Sequence, residues 1–471
     1  MTYFVTGATG FIGRHLVSNL LKRKGDVHVL VRKQSQGKLK ELVERMGWDA
    51  KRVIAVTGDL SKPKLGISVA QMKSLQGKIK HVFHLAAVYD LAASAEAQVG
   101  PNVDGTRHAV QFAESVAAKC FHHTSSIAVA GYYSGVFRED MFDEAENLDH
   151  PYFRTKHESE KIVREACTVP YRIYRPGVVI GHSKTGEIDK IDGPYYFFGL
   201  IKKMREALPP WMPTIGIEGG RVNMVPVDYV ADAMDHIAHK AGLDGGVFHL
   251  TDPAPRRIGE VLNLFARAGH APQMSMRLDA RMFSFVPAPV RMALSNLAPV
   301  KRFTGMLLKD LGIPKEVLGF INYPTRFDNR DTERALKGSG IRVPELEDYA
   351  WRLWDYWERH LDPDLFVDRS LRGRVQGRVV VITGGSSGIG RAAAIKVALA
   401  GARTVIVARG EEELLKTRDE IIAAGGECHA YTADLADLAS CDDLLRRIFA
   451  DLGAVDILVN NAGRSIRRSI A

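Results

Sequence analysis

Over the first 180 residues, short apolar runs alternate with longer stretches in which apolar positions recur every three or four residues. Tyr3 to Thr6 is the first run. Val27 to Arg32, Val53 to Val56, His81 to Leu85, Cys120 to Thr124 and Tyr171 to Tyr174 follow at strand length, and Val178 to Gly181 is a further short apolar run. Helical patterns begin near Arg14, near Asn102 and after Asp149. Strands alternating with helices at this pace predict an α/β chain with a parallel sheet covered on both faces. Ligands then belong at the carboxyl ends of the strands. From His182 the pattern loosens. Gly193 to Phe198 opens an aromatic helix, Leu208 to Gly220 is rich in proline and glycine, and Asp228 is expected to cap a helix. Met282 to Leu308 is apolar but interrupted by Pro287, Pro289 and Pro299, too broken to span a bilayer, and reads equally as a tunnel wall, a membrane-resting face or ordinary core. Trp351, Trp354 and Trp357 lie three apart and are expected to pack a terminal helix.

The loops at the strand ends carry the candidate chemistry. After the first run, Gly7, Gly10 and Gly13 stand in G-x-x-G-x-x-G spacing, with Thr6, Phe11 and Ile12 among them. Such glycines permit a tight turn, let backbone approach a pyrophosphate and allow close helix packing, while the helix start presents bare amides to the phosphates. Arg32 ends the second run where NAD-specific proteins place an acid. An arginine there suits a 2′-phosphate, so the cofactor expected is NADPH. Asp59 and Leu60, after the third run, would meet the adenine, and Ala86, after the fourth, lets the chain pass close to the cofactor. Pro176 belongs to a loop at the nicotinamide end.

The fifth run delivers Ser125 and Ser126, and the segment from Asp149 supplies Tyr152 and Lys156. Asp149 is expected to cap that helix and Pro151 to fill its first turn, which puts Tyr152 and Lys156 one turn apart on one face. A nearby ammonium favours the phenolate and would lower the tyrosine pKa, so that Tyr152 protonates a carbonyl oxygen as hydride reaches its carbon. Of the 14 tyrosines only Tyr152 has a lysine four residues on. The catalytic set expected is Ser126, Tyr152 and Lys156, with Lys156 also gripping the cofactor.

Near residue 378 the chain starts again. Val379 to Gly390 repeats the design of Tyr3 to Gly13, with Gly384, Gly388 and Gly390 in T-G-x-x-x-G-x-G spacing around Ser386, Ser387 and Ile389. Arg409 answers Arg32, Asp434 and Leu435 answer Asp59 and Leu60, and Asn461, Ala462 and Gly463 answer the loop holding Ala86. A near-constant offset through all of these makes the second half another NADP-type fold. The fold class expected is therefore two Rossmann-type doubly wound parallel sheets. The first comprises residues 1–360, with a smaller substrate region mainly in 182–220 and 255–345. A linker, 361–377, leads to the second, 378–471, which reads as incomplete, with four strands ordered 3-2-1-4. It stops before any catalytic serine or Tyr-x-x-x-Lys helix, so it is expected to be poorly stabilised and inert as a catalyst.

Composition adds little: 46% hydrophobic and 25% charged residues describe an ordinary globular chain. Met1 leads straight into a strand without a signal peptide, which predicts a cytoplasmic protein. The four cysteines, Cys120, Cys167, Cys428 and Cys441, show no metal-ligand or C-x-x-C spacing and read as reduced thiols, with no metal site. The net charge of +9 suits polyanionic small molecules such as NADP or coenzyme A, or contact with an anionic membrane surface, and equally a solvated basic surface. No motif for nucleic-acid binding accompanies it.

The glycine turn, Ser126 and Tyr152-x-x-x-Lys156 resemble those of the extended short-chain dehydrogenase/reductases. Thr383 to Gly390 with Asn460 to Gly463 resemble the compact branch of that superfamily. An extended reductase ahead of a compact one is similar to the bacterial two-domain fatty acyl-CoA reductases. Ile191 to Phe198, Pro213 to Gly220 and Asn461 to Ser469 strengthen that likeness, which spans nearly the whole chain. The resemblance implies NADPH-dependent reduction of a long-chain acyl-CoA or fatty aldehyde to an alcohol, with thioester reduction in the compact half and aldehyde reduction in the extended half. With the second half incomplete, thioester reduction is in doubt and aldehyde reduction should survive. A sterol dehydrogenase or sugar-nucleotide epimerase would use the same residues; the apolar, aromatic stretches favour a lipid. An NADPH-sensing binding module would need no serine, tyrosine and lysine together.

Overall fold

The computed structural model describes residues 1–87, 99–279 and 323–463. The apolar stretch Met282 to Leu308 lies outside the described residues, as does Arg464 onward. The chain divides into two compact units, Met1–Leu361 and Asp362–Ala471.

The first unit is built on a seven-stranded parallel sheet. Its elements start with β1 (Tyr3–Thr6), α1 (Phe11–Lys22), β2 (Val27–Val31), β3 (Val53–Thr57), β4 (His81–His84) and β5 (Cys120–Thr124). The strand order runs Val247–Leu250, Tyr171–Pro176, β5, β4, β1, β2, β3, every neighbour parallel. β1 and β5 are buried throughout, as strands covered on both faces must be. The order turns back on either side of β1, so the crevice outside β1 and β4 is the topological switch point.

The glycine turn follows from sterics. Gly7 has φ +73°, and a Cβ there would lie 2.6 Å from the Ala86 nitrogen. A Cβ on Gly13 would lie 2.1 Å from the Gly7 carbonyl oxygen. Only hydrogen fits at either position, and α1 can therefore start hard against the end of β1.

The helix Pro151–Ala166 begins with Pro151 in its first turn, but its cap is not Asp149. His150 occupies that position, its Nδ1 accepting from the Tyr152 amide at 3.2 Å. Asp228 likewise caps nothing: it sits inside the helix Val227–His239, which starts after Pro226, and its carboxylate accepts from the Ser183 amide and hydroxyl at 2.9 and 2.5 Å. An acid in the first turn is favoured by the helix dipole whether or not it caps, which is why sequence alone does not separate the roles. The aromatic stretch forms a 3₁₀ turn, Gly193–Phe197, followed by a helix, Phe198–Ala207. The proline-rich stretch after it contains a strand, Thr214–Glu218, paired with Met274–Asp279. Trp354 and Trp357 are buried in the helix Leu346–His360, whereas Trp351 faces outward at 53% exposure with Arg352 over its ring.

The second unit carries four parallel strands, Val379–Thr383, Arg403–Ala408, Glu427–Thr432 and Ile457–Val459, in the order 3-2-1-4 expected. Residues 362–377 form a 3₁₀ turn, Pro363–Phe366, and a short helix, Leu371–Val375, rather than a bare linker. The glycine approach of the first unit is repeated: a Cβ on Gly390 would lie 2.2 Å from the Gly384 carbonyl oxygen.

Replacing Gly13 by Ala should destabilise the first unit by about 1–3 kcal/mol, because neither backbone can yield to the added methyl. Denaturant unfolding measures this; an unchanged midpoint would show the turn to be looser than described.

Candidate active site

The carboxyl ends of β1 and β5, the helix Pro151–Ala166 and the strand Tyr171–Pro176 converge on one cavity of about 560 Å³. Gly7, Gly10, Phe11, Ile12 and Gly13 line it, as do Ser126, Tyr152, Lys156 and Pro176. Thr6, Arg32, Asp59, Leu60 and Ala86 lie outside its lining. Thr6 is buried beneath the turn, its Oγ1 accepting from the Ala86 amide at 3.3 Å and bonded to His84 Nδ1 at 2.8 Å. Arg32 is exposed at the carboxyl end of β2. Asp59 Oδ1 accepts from the Ser61 amide and hydroxyl, both at 2.9 Å, and these bonds hold its carboxyl below the usual range. The Leu60 carbonyl is bonded to His108 Nδ1 at 2.7 Å.

Ser126, at the end of β5, caps the short 3₁₀ turn Ile127–Ala130, its Oγ accepting from the Ala128 amide at 3.2 Å, and hydrogen-bonds the Tyr152 phenol. Tyr152 and Lys156 lie one helical turn apart and are only 6% exposed each. Lys156 Nζ donates to the Thr124 carbonyl at 3.3 Å. The expectation that Lys156 lowers the tyrosine pKa is not met in this cavity. Burial pushes the Tyr152 phenol up to about 12, against a lowering by Ser126, and the Asp192 carboxylate raises it further. Burial also brings the Lys156 ammonium down to about 8, with Glu160 opposing. Desolvation is the largest cause of both shifts, because burial disfavours the charged form of each group. A phenol with that pKa keeps its proton at neutral pH and is a donor in waiting.

Two residues that sequence reasoning passed over, Glu160 and Arg175, support this set together with Ser125. Glu160 continues the face of Tyr152 and Lys156 by one more turn and is fully buried, accepting from Arg175 Nε at 3.0 Å and Nη2 at 2.6 Å, and from the Ser125 hydroxyl at 2.7 Å. Its carboxyl is drawn down to about 2, burial raising it and the Arg175 charge and hydrogen bonds lowering it more. Glu160 thereby ties β5, where Ser126 sits, to the strand Tyr171–Pro176. The i+4 spacing from Lys156 was the signal that could have found it.

The cavity meets the requirements of a dinucleotide. Gly10 carries the turn into α1, and a Cβ there would meet only the Gly7 carbonyl, at 3.3 Å. The buried Thr124 hydroxyl lines the cavity and has no hydrogen-bond partner among the described residues. The lining as a whole is mainly apolar, with Val178, Phe197, Val222, Met224, Val261 and Phe327 in it beside Arg221 and Arg326.

In the second unit Gly384 has φ +68°, and Thr383 Oγ1 accepts from the Asn461 and Ala462 amides at 2.9 and 3.0 Å, much as Thr6 accepts from Ala86. Asn461 Nδ2 donates to the Thr383 and Gly384 carbonyls at 3.1 and 3.3 Å. Ser387 precedes the helix Gly388–Leu399, Ile389 is 81% exposed beside it, and the Ser386 carbonyl accepts from Thr417 at 3.3 Å. Arg409, Asp434, Leu435 and Gly463 stand exposed at the strand ends. No group of three or more metal-ligating side chains occurs among the described residues, and the four cysteines are free thiols.

Comparison with known proteins places this geometry in a class. The family model described as male sterility protein, with an NAD-binding domain, matches residues 5–234, and the short chain dehydrogenase model matches residues 378–471. The first unit is of the extended short-chain dehydrogenase/reductase type, with a nicotinamide-cofactor site; the second is a short-chain-dehydrogenase-type nucleotide fold. Among solved structures, the terminal R domain of the myxalamid biosynthetic pathway is 25% identical, with a TM-score of 0.59 over 76% of this chain and 90% of that one. The glycine betaine reductase ATRR of Emericella nidulans is 27% identical over 98% of this chain and 37% of its own length. The aldehyde reductase lnbA of Aspergillus flavus is 29% identical over 53% of this chain and 26% of its own. The chain thus spans about a third of the length of the curated relatives it matches.

Changing Glu160 to Gln leaves Arg175 buried without its charge partner and should cost about 3–5 kcal/mol. The Glu160 carboxyl lies below its ordinary 4.5 when folded, so its contribution is complete above about pH 4.5 and is lost as pH falls toward 2. Unfolding measured between pH 7 and pH 3 should show the wild type losing much of this increment below about pH 4.5 and the variant lacking that loss; parallel curves for the two would refute the role.

Proposed function

We propose that the first unit is an NADPH-dependent reductase of fatty aldehydes, and of long-chain acyl-CoA where the chain as a whole permits it, with a fatty alcohol as product. The observation that carries this reading is one mainly apolar cavity whose lining includes both the glycine turn and a buried Ser–Tyr–Lys set. Pockets of this size and lining bury most of a small ligand and orient it with a few polar groups.

Gly7, Gly10, Gly13 and Lys156 would hold NADPH, which when bound would supply the hydride for a carbonyl carbon. Ser126 donates a hydrogen bond to the carbonyl oxygen and orients it toward Tyr152. The Tyr152 phenol passes its proton to that oxygen as negative charge develops there, so aldehyde, hydride and proton balance to alcohol. Lys156, one turn below, stabilises the phenolate left behind, and solvent restores the proton. The basic side chain of Arg32 at the end of β2 supports NADPH over NADH. No helix among the described residues is long and apolar enough to cross a membrane; lipid contact, if made, is peripheral in this reading.

A second reading draws on the myxalamid R domain and the glycine betaine reductase: a carrier-bound or cationic acyl group in place of the fatty one. Asp192 and Lys190, paired at 3.5 Å on the cavity wall, are the feature that favours a polar substrate.

Tyr152→Phe should lower kcat with decanal and NADPH by about 10²–10⁴-fold, with NADPH affinity within about twofold. Nicotinamide absorbance with decanal, palmitoyl-CoA and betaine aldehyde as parallel substrates reads both the residue and the substrate class. Turnover of the Phe variant at the wild-type rate would remove Tyr152 from the chemistry, and preference for betaine aldehyde would overturn the fatty reading.

A further inference from the structure

Arg14, the residue after the third glycine, is an unusual cation. It lies in the first turn of α1, where the helix dipole opposes positive charge, and it is 3% exposed. Two carboxylates of one loop meet it: Nη1 donates to Asp189 Oδ1 at 2.7 Å and Nη2 to Glu187 Oε1 at 3.0 Å. The guanidinium also lies over the Phe11 ring, 4.9 Å from its centroid. Phe11, Gly10, Asp189, Lys190 and Asp192 all line the cavity.

The loop itself is closed at its base. The His182 amide donates to the Glu187 carbonyl at 3.0 Å, the Gly186 amide to the His182 carbonyl at 2.8 Å, and Ile188 is buried in the apolar cluster that includes Trp354. Residues 187–192 thus run as a strap from that cluster to the cavity wall, and Arg14 ties the strap to the helix whose first amides form the phosphate cradle. Neither Asp189, at 46% exposure, nor Glu187, at 27%, needs the arginine for its own solvation; the arginine needs them.

We propose that Arg14 is a positioning residue that, through Asp189 and Glu187, holds residues 187–192 against the cofactor end of the cavity and so sets how fast the bound dinucleotide leaves. This deepens the reductase reading but rests only on the cofactor site, not on the choice of substrate. With the tie intact the strap covers one side of the glycine turn. With it broken the strap swings from its anchor at Ile188, so that the chain after the already exposed Lys190 is drawn more readily into a protease, while Lys184, exposed on the other side of the anchor, serves as the reference site.

The test uses the full chain and three variants, Arg14→Met, Asp189→Asn and the double. NADPH dissociation is followed by stopped-flow fluorescence on displacement with NADP⁺, and cleavage after Lys184 and Lys190 by limited trypsin digestion and mass spectrometry. Arg14→Met should raise the dissociation rate roughly tenfold, in proportion to the loss of a charge-assisted pair. Asp189→Asn should raise it less, since Glu187 remains, and the double should match Arg14→Met. Cleavage after Lys190 should accelerate in the same order. Dissociation rates within twofold of wild type, or independent, multiplying effects of the two substitutions, would overturn the proposal. Because neither readout uses an aldehyde, failure to reduce decanal would bear on the substrate reading alone. If Arg14→Met does not fold, Asp189→Asn together with Glu187→Gln removes the same tie from the exposed side and must give the same tenfold rise.

Discussion

Two ionisable groups, a phenol and an ammonium, are held one helical turn apart in a space that solvates neither. Everything else in the first unit can be read as what that arrangement requires. Burial keeps Tyr152 protonated and lowers the Lys156 ammonium only to about 8, so at neutral pH the pair rests as a phenol beside an ammonium. A protonated phenol is the form that can give a proton to a carbonyl oxygen. The surroundings hold the pair in register: Glu160 and Arg175, buried beneath it, fix the helix to the neighbouring strand and hold Ser125 beside Ser126.

Much of this was legible in the chain. The parallel sheet, the strand ends as the ligand-bearing edge, and the second fold with its 3-2-1-4 order all follow from apolar runs and glycine spacing, because a strand buried on two faces leaves an unmistakable pattern. Tyr152 and Lys156 were legible as a pair because helical spacing is local. What was not legible depends on burial or on distant partners. The direction of the tyrosine shift was misread because sequence shows a lysine four residues away but not the loss of water around both. Asp149 and Asp228 were misread as caps because an acid near a helix start has more than one use. Glu160 was missed because its partner, Arg175, lies on the next strand, and Arg14 because its carboxylates sit about 175 residues on.

The two units repeat one solution to the same steric problem. In each, a threonine ends the first strand and its hydroxyl holds the amides that follow the fourth, while two glycines bring helix and strand closer than any side chain permits. The differences lie in what is added. The first unit has a serine, tyrosine and lysine lining a mainly apolar cavity and a strap tied down by a buried arginine; the described part of the second has the nucleotide cradle. The turn is thus what the two units share, and the serine, tyrosine and lysine are what the longer sheet of the first adds.

The central claim is that the Tyr152 phenol faces the reactive carbon of a dinucleotide bound on Gly7, Gly10 and Gly13. A crystal structure of the chain with NADPH tests it most directly. The account predicts the pyrophosphate at the start of α1 and the nicotinamide C4 within about 5 Å of the Tyr152 hydroxyl, close enough for a carbonyl to sit between them at reacting distance. A nicotinamide directed away from Tyr152, with the phenol enclosed by protein, would contradict it.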